Sequence, residues 1–479
     1  MAERIQDLTG YQFTDFENSF ESLGLDHSHT IRREPEVTYY DEFALEELLD
    51  IKQEYYTQFI EGWSRSFYSG EAHLKNILEY SIPDTPITAV NQSLYADSCS
   101  AVRMEINSLP RVEAFDVNTQ LDLISYEPSS SAGYGYFGSK GPINGSVHKR
   151  AMSRAKATIY DACSSTGHGI EHQLRTAVPD VGYTRTQLAD IAERTKVRGV
   201  WGRAFHYILL EGTSARPILE AFQNADSFYQ IGSDPTVNVP RKLGLLSSTC
   251  RWMYGIDWSK FDATVSRFEI NAAFDILKTM VIFPNFITQQ AFEFSRQLFI
   301  HKKICAPDGH IYWAHKGIPS GSYYTSIVGS VVNRIRVEYM WRLQFNRGPD
   351  RCYTQGDDSL IGDRDYYNPE VMAYNVASLG WRLNPDKTVC SRIPSEVTFL
   401  GRTTTGGQNQ RDIIRCLRLL ILPEYPVTSG SISAFRARSI YEDSGGRSEI
   451  LKTIADRLKR KFGIAEEEDV PNEFKRYVP

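Results

Sequence analysis

The chain has 479 residues, 41% of them hydrophobic, which suffices for one large enzyme unit or two to three ordinary domains with a sizeable core. Its formal charge of −6 argues against a simple basic nucleic-acid coat protein, although basic residues gathered in an internal channel escape that objection. No apolar run approaches the roughly 18 residues that cross a bilayer. The polar N-terminus lacks a secretory apolar stretch, and the seven cysteines never fall in a CxxC pair. The expectation is an intracellular globular protein with buried free thiols, no structural zinc and no disulfide framework.

Apolar residues at 45, 48, 49, 55, 56, 59, 60 and 63 have helical spacing and predict an N-terminal helical extension over Leu45 to Trp63. The glycine- and serine-rich stretch Ser129 to Gly141 predicts a loop running into a basic helix at Val147 to Arg154. From Arg251 to Gly401, short apolar strands with acidic ends (Tyr254 to Asp257, and Cys352 to Ile361) are separated by amphipathic helices near 266–283 and 321–345, an α+β pattern. A last helix is predicted at Ser448 to Phe462, with Ile450, Leu451, Ile454, Leu458 and Phe462 on one face and lysines and arginines around the others. No internal repeat or low-complexity tract is present.

Phosphoryl transfer between nucleotides uses two divalent cations about 3.5–4 Å apart, and hard cations seek carboxylate oxygens. An aspartate ending one strand, beside an Asp-Asp pair in a tight turn between two neighbouring strands, supplies them compactly. Asp257 after Met253-Tyr-Gly-Ile, and Gly356-Asp357-Asp358 between Cys352-Tyr-Thr and Ser359-Leu-Ile, have that pattern. Gly356 lets the turn form. Each piece alone has a plainer reading: a hairpin turn for Gly-Asp-Asp, and a helix N-cap for Asp257.

The segments Gly255-Ile-Asp-Trp-Ser-Lys-Phe-Asp262, Gly317-Ile-Pro-Ser-Gly-Ser-Tyr-Tyr-Thr-Ser-Ile327, Gln355-Gly-Asp-Asp358, Asn384-Pro-Asp-Lys-Thr388 and Glu396-Val-Thr-Phe-Leu-Gly-Arg402 resemble, in order, motifs A to E of viral RNA-dependent RNA polymerases. Lys196 to Arg203 looks like motif F, and Ser131-Ala-Gly-Tyr134 is similar to motif G. The stretch Val200 to Gly212 most resembles polymerases of partitiviruses, which have segmented double-stranded RNA genomes. The resemblance implies an α+β right hand with an antiparallel palm sheet. Its parts would be an N-terminal helical extension over 1–100 bridging fingers and thumb, fingers over 101–250, palm over 251–269, a fingers insertion over 270–310, palm again over 311–402, and a thumb and tail over 403–479, with Thr403 to Gly407 marking the break.

It also implies roles. Asp257 and Asp357 would hold two Mg²⁺ or Mn²⁺ ions with Asp358 in support, and Asp262 would accept hydrogen bonds from the ribose hydroxyls. Ser320, Thr325 and Asn333 would contact the ribose and template side, Asn333 standing in for an asparagine that many such enzymes carry where this chain has Gly329. Lys196, Arg198 and Arg203 suit a triphosphate, and Lys387 would protonate departing pyrophosphate. Ser131, Gly133, Lys149, Arg150 and Gly321 would line the template path. Surface helix positions remain the alternative for Asp262 and Asn333, a solvated face for the cations, and a plain loop for Ser131 and Gly133. The implied partners are RNA template and product, ribonucleoside triphosphates and capsid protein, but no membrane, with a monomeric polymerase working inside the virion or in the host cytoplasm.

Two other classes compete. A reverse transcriptase usually has an aromatic residue before its Asp-Asp pair and a bulky gate under the ribose, where this chain has Gly356 and Asp262. A non-catalytic RNA-binding protein inside a capsid would not need Asp257, Asp357 and Asp358 intact. No phosphate-loop GxxxxGK[ST] or HExxH motif occurs, which leaves helicase and metalloprotease activities unsupported.

Overall fold

The computed structural model describes residues 5–13, 20–26, 38–65, 68–192 and 197–477. At its centre lies a four-stranded antiparallel sheet in the order Arg351–Gln355, Asp358–Asp363, Trp252–Gly255, Val389–Ser391. One face is covered by the helix Thr325–Phe345, buried from Ile327 to Trp341, whose apolar side chains merge with those of the helix Arg267–Lys278 into the largest core. Ser266 and Glu269 form a reciprocal cap at the start of Arg267–Lys278. That helix ends sooner than its apolar spacing predicts, because Val281–Ile282 leaves to pair in parallel with Val112–Glu113.

A second sheet has the order Glu21–Leu25, His310–Ala314, Lys302–Cys305, Asp180–Arg185, Arg198–Gly202. It brings the strand bearing Arg198 together with the hairpin that precedes motif B. Its helical backing, Ser146–Cys163, Phe205–Gln223 and Phe286–Ile300, forms a separate apolar core. Ser129 to Gly141 is a loop, as predicted, and the helix after it begins at Ser146.

The expected N-terminal helix is shorter than its spacing suggests. It runs over Glu42–Tyr55, widens into a π-helical turn at Tyr56–Ile60, and gives way to the strand Trp63–Arg65, which pairs with Leu188–Asp190. Ala44, Leu48 and Ile60 share a core with the C-terminal helices Ile413–Ile421, Gly430–Asp443 and Glu449–Phe462. Buried Asp41 accepts from Ser433 Oγ and Arg436 Nη1, Arg65 Nε donates to the Leu422 carbonyl at 2.8 Å, and Arg418 Nε to that of Phe59 at 2.6 Å. The N-terminal segment therefore ties the strand pair at Leu188–Asp190 to the C-terminal helices.

Thr403 to Gly407 is a tight hairpin, with Thr403–Thr405 paired to Gln408–Gln410 across Gly406 and Gly407. All seven cysteines are free thiols, four buried and three half-buried. Among the described residues no helix is long and apolar enough to cross a membrane.

Candidate active site

Gln355 pairs with Asp358, which leaves Gly356 and Asp357 as a two-residue turn, with Gly356 at φ +58°. The helix Thr325–Phe345 holds this turn from beneath. Ser330 Oγ accepts from Gly356 N at 2.8 Å, and Asn333 Nδ2 donates to the carbonyls of Gly356 at 3.0 Å and Asp358 at 3.2 Å. The helix passes just beneath the turn: a Cβ on Gly329 would lie 3.5 Å from Gly356 Cα, in ordinary van der Waals contact. On the next strand Tyr254 pairs with Ile361, so continuing the antiparallel register brings Asp257 opposite Asp358. Asp257 is fixed through its backbone, its N–H donating to Thr388 Oγ1 at 3.2 Å and its carbonyl accepting from Asn384 N at 2.9 Å.

Crowded carboxylates raise one another's pKa. Asp357 sits at the exposed tip of the turn but is ringed by protein; burial and Asp257 push its pKa up, while Arg198 pulls it down. Burial, Asp357 and Asp257 push Asp358 to about 6, against the Leu400 N–H that donates to its Oδ2 at 2.7 Å. Burial and Asp357 raise Asp262 to about 7, with Arg198 and Lys302 opposing. A divalent cation relieves this repulsion, so the acids fit one. Among the described residues no three His, Cys, Asp or Glu side chains form a closed cation cage. The carboxylates would therefore be part of a ligand sphere completed by nucleotide phosphates and water, as is usual for Mg²⁺. Asp358 has one oxygen already occupied by Leu400, leaving Asp257 and Asp357 as the freer pair.

A cleft of about 610 Å³ opens over the turn, lined among others by Arg198, Asp262, Ser320, Thr325, Gly356 and Asp357. Exposed Arg198 and half-buried Gln187 also border a smaller cavity of about 350 Å³ with Arg65, Arg185 and Arg415. Ser320 Oγ accepts from Trp201 N at 3.0 Å, and a Cβ on Gly321 would come within 1.9 Å of the Trp201 carbonyl oxygen. These two residues join the loop before the Thr325–Phe345 helix to the Arg198–Gly202 strand. Thr325 Oγ1 donates to the carbonyls of Pro319 and Ser322 at 2.6 and 2.8 Å.

Two expectations are corrected. Asn333, expected at the ribose, is fully buried, and its amide is spent on the turn and on Trp258 Nε1, which donates to Oδ1 at 2.9 Å. Arg203, expected at the triphosphate, is buried with Asp180 at 3.5 Å and Glu211 at 3.6 Å, because its side chain turns inward from the strand that exposes Arg198. Lys196 lies outside the described residues. Lys387 is exposed in the turn whose ends bind the Asp257 backbone. Ser131 is exposed and hydrogen-bonds Tyr183 at 2.8 Å, whereas Gly133 is buried where a Cβ would lie 2.9 Å from Ala204 Cα. Lys149 and Arg150 are exposed near the start of their helix, and Arg150 and Arg154 flank the Tyr136 ring. The sequence reading missed Ser330, Leu400, Glu211 and Lys302. Of these only Glu211 carries a signal, as a lone carboxylate after the apolar run Tyr207 to Leu210.

The chain is 34% identical over 143 residues to the RNA-directed RNA polymerase of Cryptosporidium parvum virus 1, covering 28% of this chain and 26% of that protein. It is 29% identical over 170 residues to the genome polyprotein of human hepatitis A virus genotype IIIB, covering 31% and 7%. The chain thus spans about a quarter or less of the length of these curated relatives. The RNA-dependent RNA polymerase of a human picorbirnavirus, solved as an insertion-loop deletion mutant, has the same fold, with a TM-score of 0.65 at 15% identity over 93% of this chain and 89% of that one. The right-hand polymerase architecture follows from this likeness together with the antiparallel central sheet. Residues 39–459 match the family described as viral RNA-dependent RNA polymerase, and the chain belongs to that family.

Proposed function

We propose that the protein synthesises RNA on an RNA template from ribonucleoside triphosphates, replicating and transcribing the genome of a double-stranded RNA virus of the partitivirus type. The observation that carries this reading is the register that sets Asp257 opposite Asp358, next to Asp357 in the turn, beside a cleft lined by both Asp357 and Arg198. Asp257 and Asp357, supported by Asp358, would hold two Mg²⁺ or Mn²⁺ ions. When bound, the ions activate the attacking hydroxyl and offset charge on the triphosphate. Arg198 holds the triphosphate through its planar fork of N–H donors, and the nearby arginines of the smaller cavity add to the positive field. Asp262 meets the ribose hydroxyls, while Ser320 and Gly321 set the loop that forms the floor. Lys387 delivers a proton to the leaving pyrophosphate. Ser131, Lys149 and Arg150 border the template path, with Gly133 fixing the loop that carries Ser131.

In this reading the palm comprises 251–269 and 311–402, the fingers 101–250 with the insertion 270–310, and the thumb and tail 403–479. Residues 1–100 bridge fingers and thumb. The enzyme acts as a monomer beside capsid protein, in the virion interior or host cytoplasm. Primer extension or de novo synthesis on an RNA template with Mg²⁺ or Mn²⁺ tests it. Labelled product from the wild type and none from Asp357→Ala is expected; equal product from both overturns it. Incorporation of deoxynucleotides as readily as ribonucleotides favours a reverse transcriptase instead.

A further inference from the structure

Lys316 to Ile318 lies as a strap across the backbone of Asp262. Ile318 N donates to the Asp262 carbonyl at 2.8 Å, and Gly317 N to that of Val265 at 2.9 Å. Gly317 has φ +81°, and a Cβ there would lie 2.7 Å from the Tyr80 ring and 2.8 Å from the Asp262 carbonyl oxygen. Strap and Asp262 therefore touch without slack.

The strap's own carbonyls are held by Lys302, which is 2% exposed. Its Nζ donates to the carbonyls of Lys316 and Gly317, both at 2.7 Å, and of Ile300 at 3.2 Å. Three acceptors use all three protons of an ammonium, whereas a neutral amine would turn its lone pair onto a carbonyl oxygen. Burial, with Arg203 and Lys316, pushes the Lys302 pKa well down, against Asp180 and Asp262, so the clamp stands on the geometry of its donors. The Tyr80 and Trp201 rings lie 5.9 and 5.8 Å from Nζ, and Tyr80 OH donates to the Ile318 carbonyl at 2.7 Å. Burying a lysine is costly, and an apolar side chain would fill the same space. What the lysine adds is a three-point clamp on backbone that bears directly on Asp262.

We infer that Lys302 is a positioning residue for ribose selection: it pins the Lys316 to Ile318 strap and thereby fixes Asp262 in the cleft. The inference rests on the reading of Asp262 as the group that meets the ribose. It goes beyond that reading by assigning a specificity function to a residue that touches no substrate.

The test compares kcat/KM for ribo- and deoxyribonucleoside triphosphates on one RNA primer-template, for wild type, Lys302→Met, Asp262→Ala and the double variant. Loss of the three-point hydrogen-bond clamp is expected to lower ribonucleotide preference about tenfold in Lys302→Met, chiefly through KM for the ribonucleotide, with no further loss when Asp262 is already alanine. If Asp262→Ala lowers preference and Lys302→Met does not, the Lys302 inference falls alone. If Asp262→Ala leaves preference unchanged, the ribose reading of Asp262 falls and takes the inference with it. Additive losses in the double variant also overturn the inference. Should Lys302→Met fail to fold, Tyr80→Phe removes a second tie to the same strap; a smaller shift in the same direction supports the inference, and unchanged preference overturns it.

Discussion

Replacing Asn333 by alanine removes three hydrogen bonds and strands the carbonyls of Gly356 and Asp358 and the indole N–H of Trp258. At about 1 kcal/mol per bond the loss is about 3 kcal/mol, rising toward about 5 kcal/mol if the buried groups find no other partner. The damage is local to the turn that carries Asp357, so part of it appears in the chemical step: about 1.4 kcal/mol of misplacement lowers kcat tenfold. Asn333→Asp should be worse than alanine, since it sets an oxygen against two carbonyl oxygens and buries a charge. The assay pairs thermal melting with single-nucleotide incorporation, using ribo- and deoxyribonucleotides. Expected are a melting point lower by several degrees, reduced kcat, nearly unchanged KM and unchanged sugar preference. Wild-type melting combined with lost ribose preference would refute this reasoning and return Asn333 to the ribose contact that its place in motif B suggested.

Asp357→Asn should abolish incorporation while leaving melting unchanged or slightly raised, because one of the mutually repelling acids is gone; a large drop in melting point would show that the acid is structural. Asp358→Asn should retain measurable incorporation, since part of its carboxylate is spent on Leu400 N; a loss equal to that of Asp357→Asn contradicts the division between the two. Gly321→Ala drives a methyl into the Trp201 carbonyl and should cost about 1–3 kcal/mol with a matching fall in kcat/KM, read by melting and steady-state extension. Burial raises Glu211 from 4.5 to about 7, so the folded state keeps its proton after the unfolded chain has lost it. This stabilisation, about 3 kcal/mol at most, is full below pH 4.5 and is lost as pH rises through 7. Melting from pH 5 to 8 should decline less steeply in Glu211→Gln than in wild type, and parallel curves would refute the assignment.

The hairpin that turns at Gly356 and Asp357 was legible because its determinants are local: alternating apolar residues, a glycine at the turn and acids at fixed spacing. The C-terminal helix was legible for the same reason, with Ser448 as its N-cap. Arg203 and Asn333 were misread because side-chain direction depends on partners distant in sequence. Arg203 turns toward Asp180 and Glu211, and Asn333 toward Trp258 and Gly356. Lys302 had no signal at all, since what it holds is backbone, which every sequence offers everywhere. The helix expected to Trp63 ends at Tyr55 because Trp63–Arg65 finds a strand partner at Leu188–Asp190 that periodicity cannot reveal.

The joint between the two ends of the chain has a consequence for biosynthesis. Asp41 meets Arg436 across 395 positions, and Arg65 meets the Leu422 carbonyl across 357. Contacts of such separation form late, since loop closure must precede them. On the ribosome, the helix Glu42–Tyr55 cannot complete its core until residues 413–462 have been translated. Its apolar face waits through most of synthesis for chaperones or for its partner. A chain cut short before the last helices therefore leaves the apolar face of Glu42–Tyr55 without the core that covers it.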